Sequence, residues 1–154
     1  MTHYFPMFID LREQPVLVIG GGRIATRRAV TLAAFGAKIR VVAQRIDKRL
    51  TEVAAEVMIR QIREGDLESL ITAEHRLVLA STDDSDLNGA IGRFCRKKGI
   101  PVNVCDSPKD CDFFFPAVAM NEEIAVGITS SGQDHHQVAE IAKRIRAVLD
   151  DREG

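Results

Sequence analysis

The sequence predicts an α/β fold in which helices cover both faces of a doubly wound parallel sheet. Short runs rich in Val, Ile and Leu alternate with segments of helical apolar spacing over residues 15–105. Three consecutive glycines, Gly20 to Gly22, separate the first strand-like run from the first helical segment. Such alternation is typical of strand–helix–strand units with right-handed crossovers, whose strands are buried on both faces.

The elements are predicted in order from this alternation. Strands are expected over residues 15–19, 38–43, 58–62, 76–81 and 100–105. Helical spacing covers residues 23–35, 46–57 and 67–71, and a longer helix follows residue 85. Asp84 or Ser85 is placed to cap that longer helix, because short polar side chains accept hydrogen bonds from first-turn amides.

The last third of the chain has a different pattern. Residues 113–118 and 124–129 are strand-like runs separated by a polar turn, which predicts a hairpin appended to the main sheet. A helix is expected over residues 137–149. We therefore expect a boundary after residue 112, with residues 1–112 forming the α/β domain and 113–154 a small C-terminal appendage.

Composition limits the possible partners and the compartment. The net charge of −1 provides no basic field for nucleic acid. No apolar run approaches the ~20 residues that span a bilayer, and the first residues lack a secretory signal pattern. Cys95, Cys105 and Cys111 show no metal-ligand spacing and are predicted to be reduced, buried thiols. These features predict a cytoplasmic protein without a metal site, a nucleic-acid partner or a membrane partner.

The glycine run is the first candidate binding feature. Gly20–Ala25 matches G-x-G-x-x-G/A between a strand and a helix. In such a turn the first glycine allows the tight bend, the next allows close approach of a pyrophosphate, and Ala25 allows close helix packing. This context indicates a Rossmann-type dinucleotide site. The alternative is a turn that binds nothing.

The end of the second strand does not settle which dinucleotide is bound. An acidic residue usually lies there to hold the adenosine ribose. Here the strand is followed by Gln44 and Arg45. Gln44 could hydrogen-bond a ribose and Arg45 could accept a 2′-phosphate, so both NAD and NADP remain open.

Two further loops are expected at the carboxyl edge of the sheet. Ser81–Asp84 follows the fourth strand, and Asp106–Lys109 follows the fifth. Asp83 and Asp84 have an alternative role in capping the next helix. Asp106 has an alternative role in an Asx-type turn before a proline.

Several motifs are specific in combination. They are Tyr4–Phe8 with Leu11; Val18–Ala25 with Arg27, Arg28 and Ala29; Ala80–Asp84 with Asn88; Gly99–Val104 with Asp106; and Asp112–Ala117. Together they resemble the precorrin-2 dehydrogenase family, which forms the N-terminal module of siroheme synthase. The resemblance extends through about residue 132.

The resemblance implies an oxidoreductase that converts precorrin-2 to sirohydrochlorin with NAD as hydride acceptor; some members also insert iron. It implies Asp106 as the catalytic residue, acting as a base or by orienting a substrate nitrogen, and a homodimer formed through residues 113–154. The dinucleotide would contact Gly20, Gly21, Gly22, Arg23, Ile24, Gln44, Arg45, Ser81 and Thr82. Candidate side chains for the substrate's carboxylates are Arg23, Arg27, Lys109, Lys143 and Arg144.

The chain departs from the family at two places. Gln133–Gln137 replaces the family's small-residue segment, and its pair His135 and His136 is expected to be exposed at a helix start rather than to bind metal. The chain also ends at Gly154, where the family usually continues with a helical region. These departures favour one alternative, a dinucleotide-sensing or tetrapyrrole-carrying module without turnover. A chelatase without dehydrogenase activity is a further alternative, against which the retained glycine turn argues.

Overall fold

The structure is a computed structural model that describes residues 5–130 and 134–150. Its strands are β1 (Pro15–Ile19), β2 (Lys38–Ala43), β3 (Ala54–Ile59), β4 (Leu77–Ala80), β5 (Val102–Val104), β6 (Ala117–Met120) and β7 (Ala125–Ile128). Its α-helices are α1 (Arg23–Ala34), α2 (Lys48–Val53), α3 (Leu67–Leu70), α4 (Ser85–Lys98) and α5 (His135–Asp150). Short 3-10 helices cover Glu64–Asp66 and Pro108–Asp110.

The main sheet contains β1 to β5 in the order β3-β2-β1-β4-β5, with every neighbouring pair parallel. Val16 of β1 pairs with Ile39 of β2 on one side and with Leu77 of β4 on the other. Val18 and Val78 are completely buried, as expected for strands covered by helices on both faces. The predicted doubly wound parallel fold is therefore confirmed.

The second crossover differs from its prediction. Helical spacing predicts one helix over residues 46–57, but α2 ends at Val53 and the chain enters β3 at Ala54. Val57 pairs with Val41 in a parallel ladder, so backbone pairing with β2 replaces the last predicted helical turn. Because β3 is the edge strand and mostly exposed, it lacks the apolar run that would have marked it as a strand.

The predicted C-terminal hairpin and helix are confirmed, but the hairpin does not join the main sheet. Strands β6 and β7 pair with each other, antiparallel, in a separate two-stranded sheet rather than in the main sheet. Strand β6 begins at Ala117, later than the predicted start at Phe113. Pro116 explains the late start, because proline has no N–H to donate to a strand ladder. Helix α5 packs on this hairpin, and Arg146 Nη2 donates to the Val118 carbonyl at 2.7 Å.

The chain divides into two compact units. One spans Ile9–Phe113 and contains the five-stranded sheet. The other combines the described parts of residues 1–8 and 114–154 and contains β6, β7 and α5. Within the described residues, no helix has the length and hydropathy needed to span a membrane.

His75 provides a pH-dependent contribution to stability. It lies just before β4 with only 6% of its surface exposed, and its Nδ1 is 3.2 Å from the Thr72 carbonyl oxygen. Burial lowers the pKa of His75, although the Thr72 backbone and the Glu74 carboxylate act in the opposite direction. A lowered pKa in the folded state means that folding favours neutral imidazole.

We expect the free energy of unfolding to fall as the pH drops below about 6.5, the usual histidine value, because the unfolded chain then binds more protons than the folded chain. Urea unfolding between about pH 5 and pH 7.5 would measure this. His75→Gln should flatten the profile in that range. His136→Gln, at an exposed position, should not; an equal effect of both substitutions would contradict the assignment to His75.

Candidate functional site

The candidate site lies at the carboxyl edge of the main sheet, between β1 and β4. The strand order changes direction there, and ligands of open α/β sheets bind at such switch points. The Gly20 amide donates to the Val42 carbonyl at 2.9 Å, and the Ser81 amide donates to the Ile19 carbonyl at 2.8 Å. The structure therefore brings the ends of β1, β2 and β4 together at this edge.

The first two glycines of the turn are required by the protein's own backbone. Gly20 has φ +119°, and a Cβ built there would overlap the Ser81 carbonyl group. A Cβ on Gly21 would overlap the Arg45 carbonyl group. Gly22 differs, because a Cβ there would have no neighbouring atom within 4 Å. The open space at Gly22 is therefore available to a ligand.

The start of α1 fits a pyrophosphate group. Gly22 is its N-cap and supplies no side-chain acceptor to the first amides. Such amides lack intrahelical partners and lie at the positive end of the helix dipole, where they attract phosphate. Arg23 and Ile24 of the first turn are exposed, whereas Ala25 is buried. The open cradle at Gly22 and the uncapped helix start together fit a dinucleotide.

Gln44 and Arg45 lie beside the glycine turn. Both are exposed and directly follow β2. The Asp47 amide donates to the Gly21 carbonyl at 3.0 Å and holds the two segments together. This geometry accommodates either the ribose contact or the 2′-phosphate contact, so it does not separate NAD from NADP.

Ser81 and Thr82 differ in what they can offer a ligand. Ser81 is 8% exposed, and its buried hydroxyl oxygen has no hydrogen-bond partner among the described residues. The Thr82 hydroxyl is 2.7 Å from Asn88 Oδ1, and the Thr82 amide donates to the same oxygen at 3.0 Å. Both donors of Thr82 therefore have partners within the protein.

The cysteines are all free thiols. Burial raises the pKa of Cys95 to about 12. Burial also raises the pKa values of Cys105 and Cys111, with the Arg28 guanidinium opposing the shift at both. Cys95 is buried, as predicted, whereas Cys105 and Cys111 are only partly buried. The raised pKa values disfavour the thiolate forms, which argues against a nucleophilic role.

Asp106 follows β5 and is exposed, and its carboxylate is held by two donors from α4. Ser85 Oγ donates to Asp106 Oδ2 at 2.6 Å, and Asn88 Nδ2 donates to the same oxygen at 3.1 Å. Among the described residues, no donor bonds Oδ1. The side chain therefore does not form the Asx-type turn considered as its alternative role.

Asp84 has the capping role considered for it. It is the N-cap of α4, and its Oδ1 accepts a hydrogen bond from the Leu87 amide at 3.0 Å. Asp83 is exposed and forms no hydrogen bond or ion pair with the described residues. The prediction that one of the two aspartates caps the helix is thus confirmed for Asp84.

An open pocket of about 500 Å³ adjoins the Asp106 site through Ser85. Its charged lining combines the carboxylates of Glu64, Asp84 and Asp86 with the guanidinium groups of Arg63 and Arg93. Charge alone therefore does not select an anionic ligand for this pocket.

Two polar links in the site are missed by sequence reasoning. Ser85 and Asn88 lie three residues apart on α4, and both reach Asp106. Arg28 Nη1 donates to Asn103 Oδ1 at 2.5 Å, and Asn103 Nδ2 donates to the Phe113 carbonyl at 2.8 Å. The sequence signal that could have revealed the first link is Asn88, an amide side chain on the buried face of a predicted helix. Buried polar groups require hydrogen-bond partners.

The remaining predicted site residues lie at separate places. Arg23 and Arg27 are exposed on α1, Lys109 lies in a 3-10 helix of the same unit, and Lys143 and Arg144 are exposed on α5 of the other unit. His135 and His136 are exposed at the start of α5, as predicted, and Asp134 caps that helix through the Gln137 amide at 2.8 Å. Tyr4 and Gln133 lie outside the described residues. In the described ranges, no three His, Cys, Asp or Glu side chains cluster closely enough to hold a metal ion.

Comparison with known proteins identifies the family. A family model described as "Putative NAD(P)-binding" matches residues 7–117, which include the glycine turn and Asp106. The chain belongs to this NAD(P)-binding family. The matched range ends at Ala117, so it covers the five-stranded sheet and the start of the hairpin.

Relatives of this NAD(P)-binding chain include siroheme synthases. It is 34% identical over 151 residues to the siroheme synthase of Methylococcus capsulatus, covering 98% of this chain and 32% of that protein. It is 39% identical over 145 residues to the "probable multifunctional siroheme biosynthesis protein HemA" of Ruminiclostridium josui, covering 94% of this chain and 28% of that protein. The chain thus spans about a third of the length of these relatives.

A solved structure of similar fold is that of SirC, precorrin-2 dehydrogenase. It matches this NAD(P)-binding chain with a TM-score of 0.67 and 25% sequence identity, covering 97% of this chain and 71% of that chain. The resemblance inferred from the sequence motifs is therefore confirmed.

Proposed function

We propose that this chain oxidises precorrin-2 to sirohydrochlorin with NAD as the hydride acceptor, as a step of siroheme biosynthesis. The observation that carries the proposal is the hydrogen-bonded path from Thr82 through Asn88 to Asp106. It joins the loop beside the glycine turn to a carboxylate whose Oδ1 accepts no hydrogen bond from the described residues. A dinucleotide cradle and a polar group for the substrate therefore share one edge of the sheet.

The similarity to siroheme synthases and to SirC supports the same reaction. Removal of two electrons from the reduced macrocycle releases one hydride and one proton. NAD, when bound, supplies the acceptor for the hydride. The protein's contribution is then to hold both reactants in register, which converts an encounter of two molecules into a reaction within one complex.

The dinucleotide would lie across the ends of β1, β2 and β4. The open space at Gly22 and the first amides of α1 would receive the pyrophosphate. Gln44 and Arg45 would face the adenosine ribose, and Ser81 and Thr82 would border the nicotinamide half. Arg23 and Ile24, both exposed in the first turn of α1, would contact the bound dinucleotide from the helix.

Asp106 would act on the substrate through Oδ1, because Oδ2 is held by Ser85 and Asn88. With Oδ2 fixed by two donors, Oδ1 is placed to accept a hydrogen bond from a pyrrole N–H and so to orient the substrate. The released proton can pass to solvent, to which this carboxylate is open.

The substrate's carboxylates would need cationic partners. Arg23 and Arg27 lie on the helix that begins at the glycine turn, and Lys109 lies close in sequence to Asp106. Lys143 and Arg144 are further candidates on α5. Guanidinium groups suit this task better than ammonium groups because they grip a carboxylate with two parallel hydrogen bonds.

The proposal includes a homodimer formed through residues 113–154, with residues 1–112 as the NAD-binding domain. Its support is a set of large apolar side chains exposed on the unit that contains α5: Met120, Ile124, Ile141 and Val148. These side chains would be available for burial against a partner copy. Light scattering of the purified chain tests this part. A cytoplasmic location is also proposed, on the basis of the free thiols.

The decisive experiment is anaerobic incubation of the purified chain with enzymatically generated precorrin-2. NAD and NADP are supplied in parallel reactions, and reduced nicotinamide and sirohydrochlorin absorbance are followed. Turnover with NAD is the expected result. NAD binding without turnover would instead favour a dinucleotide-sensing or tetrapyrrole-carrying module. Turnover with NADP alone would overturn the cofactor assignment and direct attention to Arg45.

A further inference from the structure

We infer that Asn88 is a positioning residue that couples the loop at the dinucleotide site to Asp106. The inference rests on the proposed function for its catalytic consequence, but the physical coupling can be tested without turnover. Asn88 has no exposed surface, although it carries a polar side chain on α4. Asn88 is not part of the glycine turn, and it is not the group proposed to contact the substrate.

The Asn88 amide uses both of its ends. Its Oδ1 accepts from the Thr82 amide at 3.0 Å and from the Thr82 hydroxyl at 2.7 Å. Its Nδ2 donates to the Thr82 carbonyl at 3.1 Å and to Asp106 Oδ2 at 3.1 Å. The amide oxygen therefore accepts two hydrogen bonds and the amide nitrogen donates two, so every hydrogen-bonding position of the side chain is occupied. A carboxylate of the same shape could not make the two bonds that Nδ2 donates.

The surrounding groups allow one orientation of this amide. The Thr82 backbone N–H can only donate, so Oδ1 must face it. The Thr82 carbonyl can only accept, so Nδ2 must face that side. With the amide fixed in this way, its second N–H points at Asp106 Oδ2 and leaves Oδ1 of the carboxylate for the substrate.

Full burial makes this link sensitive to small changes. A buried donor or acceptor without a partner costs about 1–3 kcal/mol. Hydrogen bonds in a chain also polarise one another, so a change at Asp106 should be felt at the Thr82 amide. A bound dinucleotide that contacts the Thr82 loop would thus influence where the Asp106 carboxylate lies.

The first test is an NMR cycle on the purified chain without substrate. Asp106→Asn should shift the Thr82 amide resonance in the wild-type background. In the Asn88→Ala background the same substitution should shift it several-fold less. Ser85→Ala is the matched control, because Ser85 also donates to Asp106 but has no bond to Thr82. In the Ser85→Ala background, Asp106→Asn should shift the Thr82 amide resonance as much as it does in the wild type. Equal shifts in the wild-type and Asn88→Ala backgrounds would overturn the inference; Asn88→Ser replaces Asn88→Ala if the latter fails to fold.

The second test is kinetic and uses Asn88→Asp. This substitution keeps the side-chain shape but places an oxygen against the Thr82 carbonyl and Asp106 Oδ2, which are both acceptors. We expect kcat to fall by at least about tenfold, while KM for NAD changes by less than about threefold. Asn121→Asp is the control with the same change of charge. The Asn121 side chain uses only its oxygen, which accepts from the Glu123 and Ile124 amides, so an aspartate can keep both bonds and kcat should not fall.

The Asn88→Asp variant should also gain a specific pH dependence. Two carboxylates in contact share one proton, which raises the apparent pKa of the pair. Position 88 is in hydrogen-bond contact with Asp106 from the β5 loop, and the carboxylate of Asp84 lies one turn earlier, at the start of α4. Turnover relative to wild type should therefore recover as the pH falls, because the shared proton restores a donor. If the ratio of Asn88→Asp turnover to wild-type turnover stayed near one at every pH, the positioning role would be refuted. If the wild type itself showed no turnover, the proposed reaction would be refuted, and the NMR result would decide the coupling.

Discussion

Gly20→Ala is expected to lower the free energy of unfolding by about 3–5 kcal/mol. The residue has φ +119°, a region that residues with a side chain rarely adopt, and a Cβ would overlap the Ser81 carbonyl group. Neither the turn nor β4 can move away easily, because the Ser81 amide is bonded to the Ile19 carbonyl at 2.8 Å. Urea or thermal unfolding measures the effect, which corresponds to a melting temperature roughly 10 °C lower at about 2–4 °C per kcal/mol.

Gly22→Ala is the matched control for that prediction. Gly22 has φ −83°, which an alanine adopts readily, and its Cβ would meet no atom within 4 Å. Its stability should therefore change by less than about 1 kcal/mol. The added methyl group enters the space assigned to the pyrophosphate, so NAD affinity should fall by about tenfold or more. Equal destabilisation by both substitutions would contradict the distinction between a structural and a ligand-facing glycine.

Asp106→Ala is expected to lower turnover of precorrin-2 by at least about tenfold while leaving NAD affinity nearly unchanged. The carboxylate is not part of the dinucleotide cradle, and its free Oδ1 is the atom proposed to meet the substrate. Steady-state kinetics under anaerobic conditions, together with calorimetric titration of NAD, separate the two effects.

Two further variants sharpen the Asp106 prediction. Asp106→Asn keeps the shape but only one acceptor oxygen, which Ser85 and Asn88 would hold in place of Oδ2, so an N–H donor would face the substrate. Activity should therefore fall in this variant as well, because the acceptor proposed to meet the substrate is lost. Asp83→Ala removes a neighbouring exposed carboxylate that has no hydrogen-bond partner among the described residues, and it should retain activity. If Asp106→Ala turned over as fast as the wild type, Asp106 would have no catalytic role.

Local patterns predicted the first half of the fold well. Strand β1 and helix α1 were predicted to within one residue, because a buried strand, a glycine turn and an apolar helical stripe are all neighbours in sequence. Strand β3 was predicted too late, since its residues are mostly exposed and its conformation comes from pairing with β2. The predicted hairpin is present, but it forms a sheet of its own, because an alternating pattern does not specify whether a hairpin also pairs with a neighbouring sheet.

The candidate site was predicted to a similar extent. The glycine turn, Gln44 and Arg45 were identified by their positions after β1 and β2, and the fold brings them together through contacts of Gly21. Thr82 stays a predicted cofactor contact, and the structure adds that its hydroxyl and amide are bonded to Asn88. The sequence shows which polar groups a residue carries, but it does not show which neighbours in the fold are already hydrogen-bonded to them.

The amino-acid sequence was sufficient for the α/β class, the dinucleotide turn and the family resemblance, because each depends on residues that are close together in the chain. Only the tertiary structure revealed that Gly20 and Gly21 are required by packing while Gly22 faces open space. It also revealed the link from Thr82 through Asn88 to Asp106. Such links join separate loops at one sheet edge, so they depend on strand order and helix orientation, which local sequence patterns do not encode.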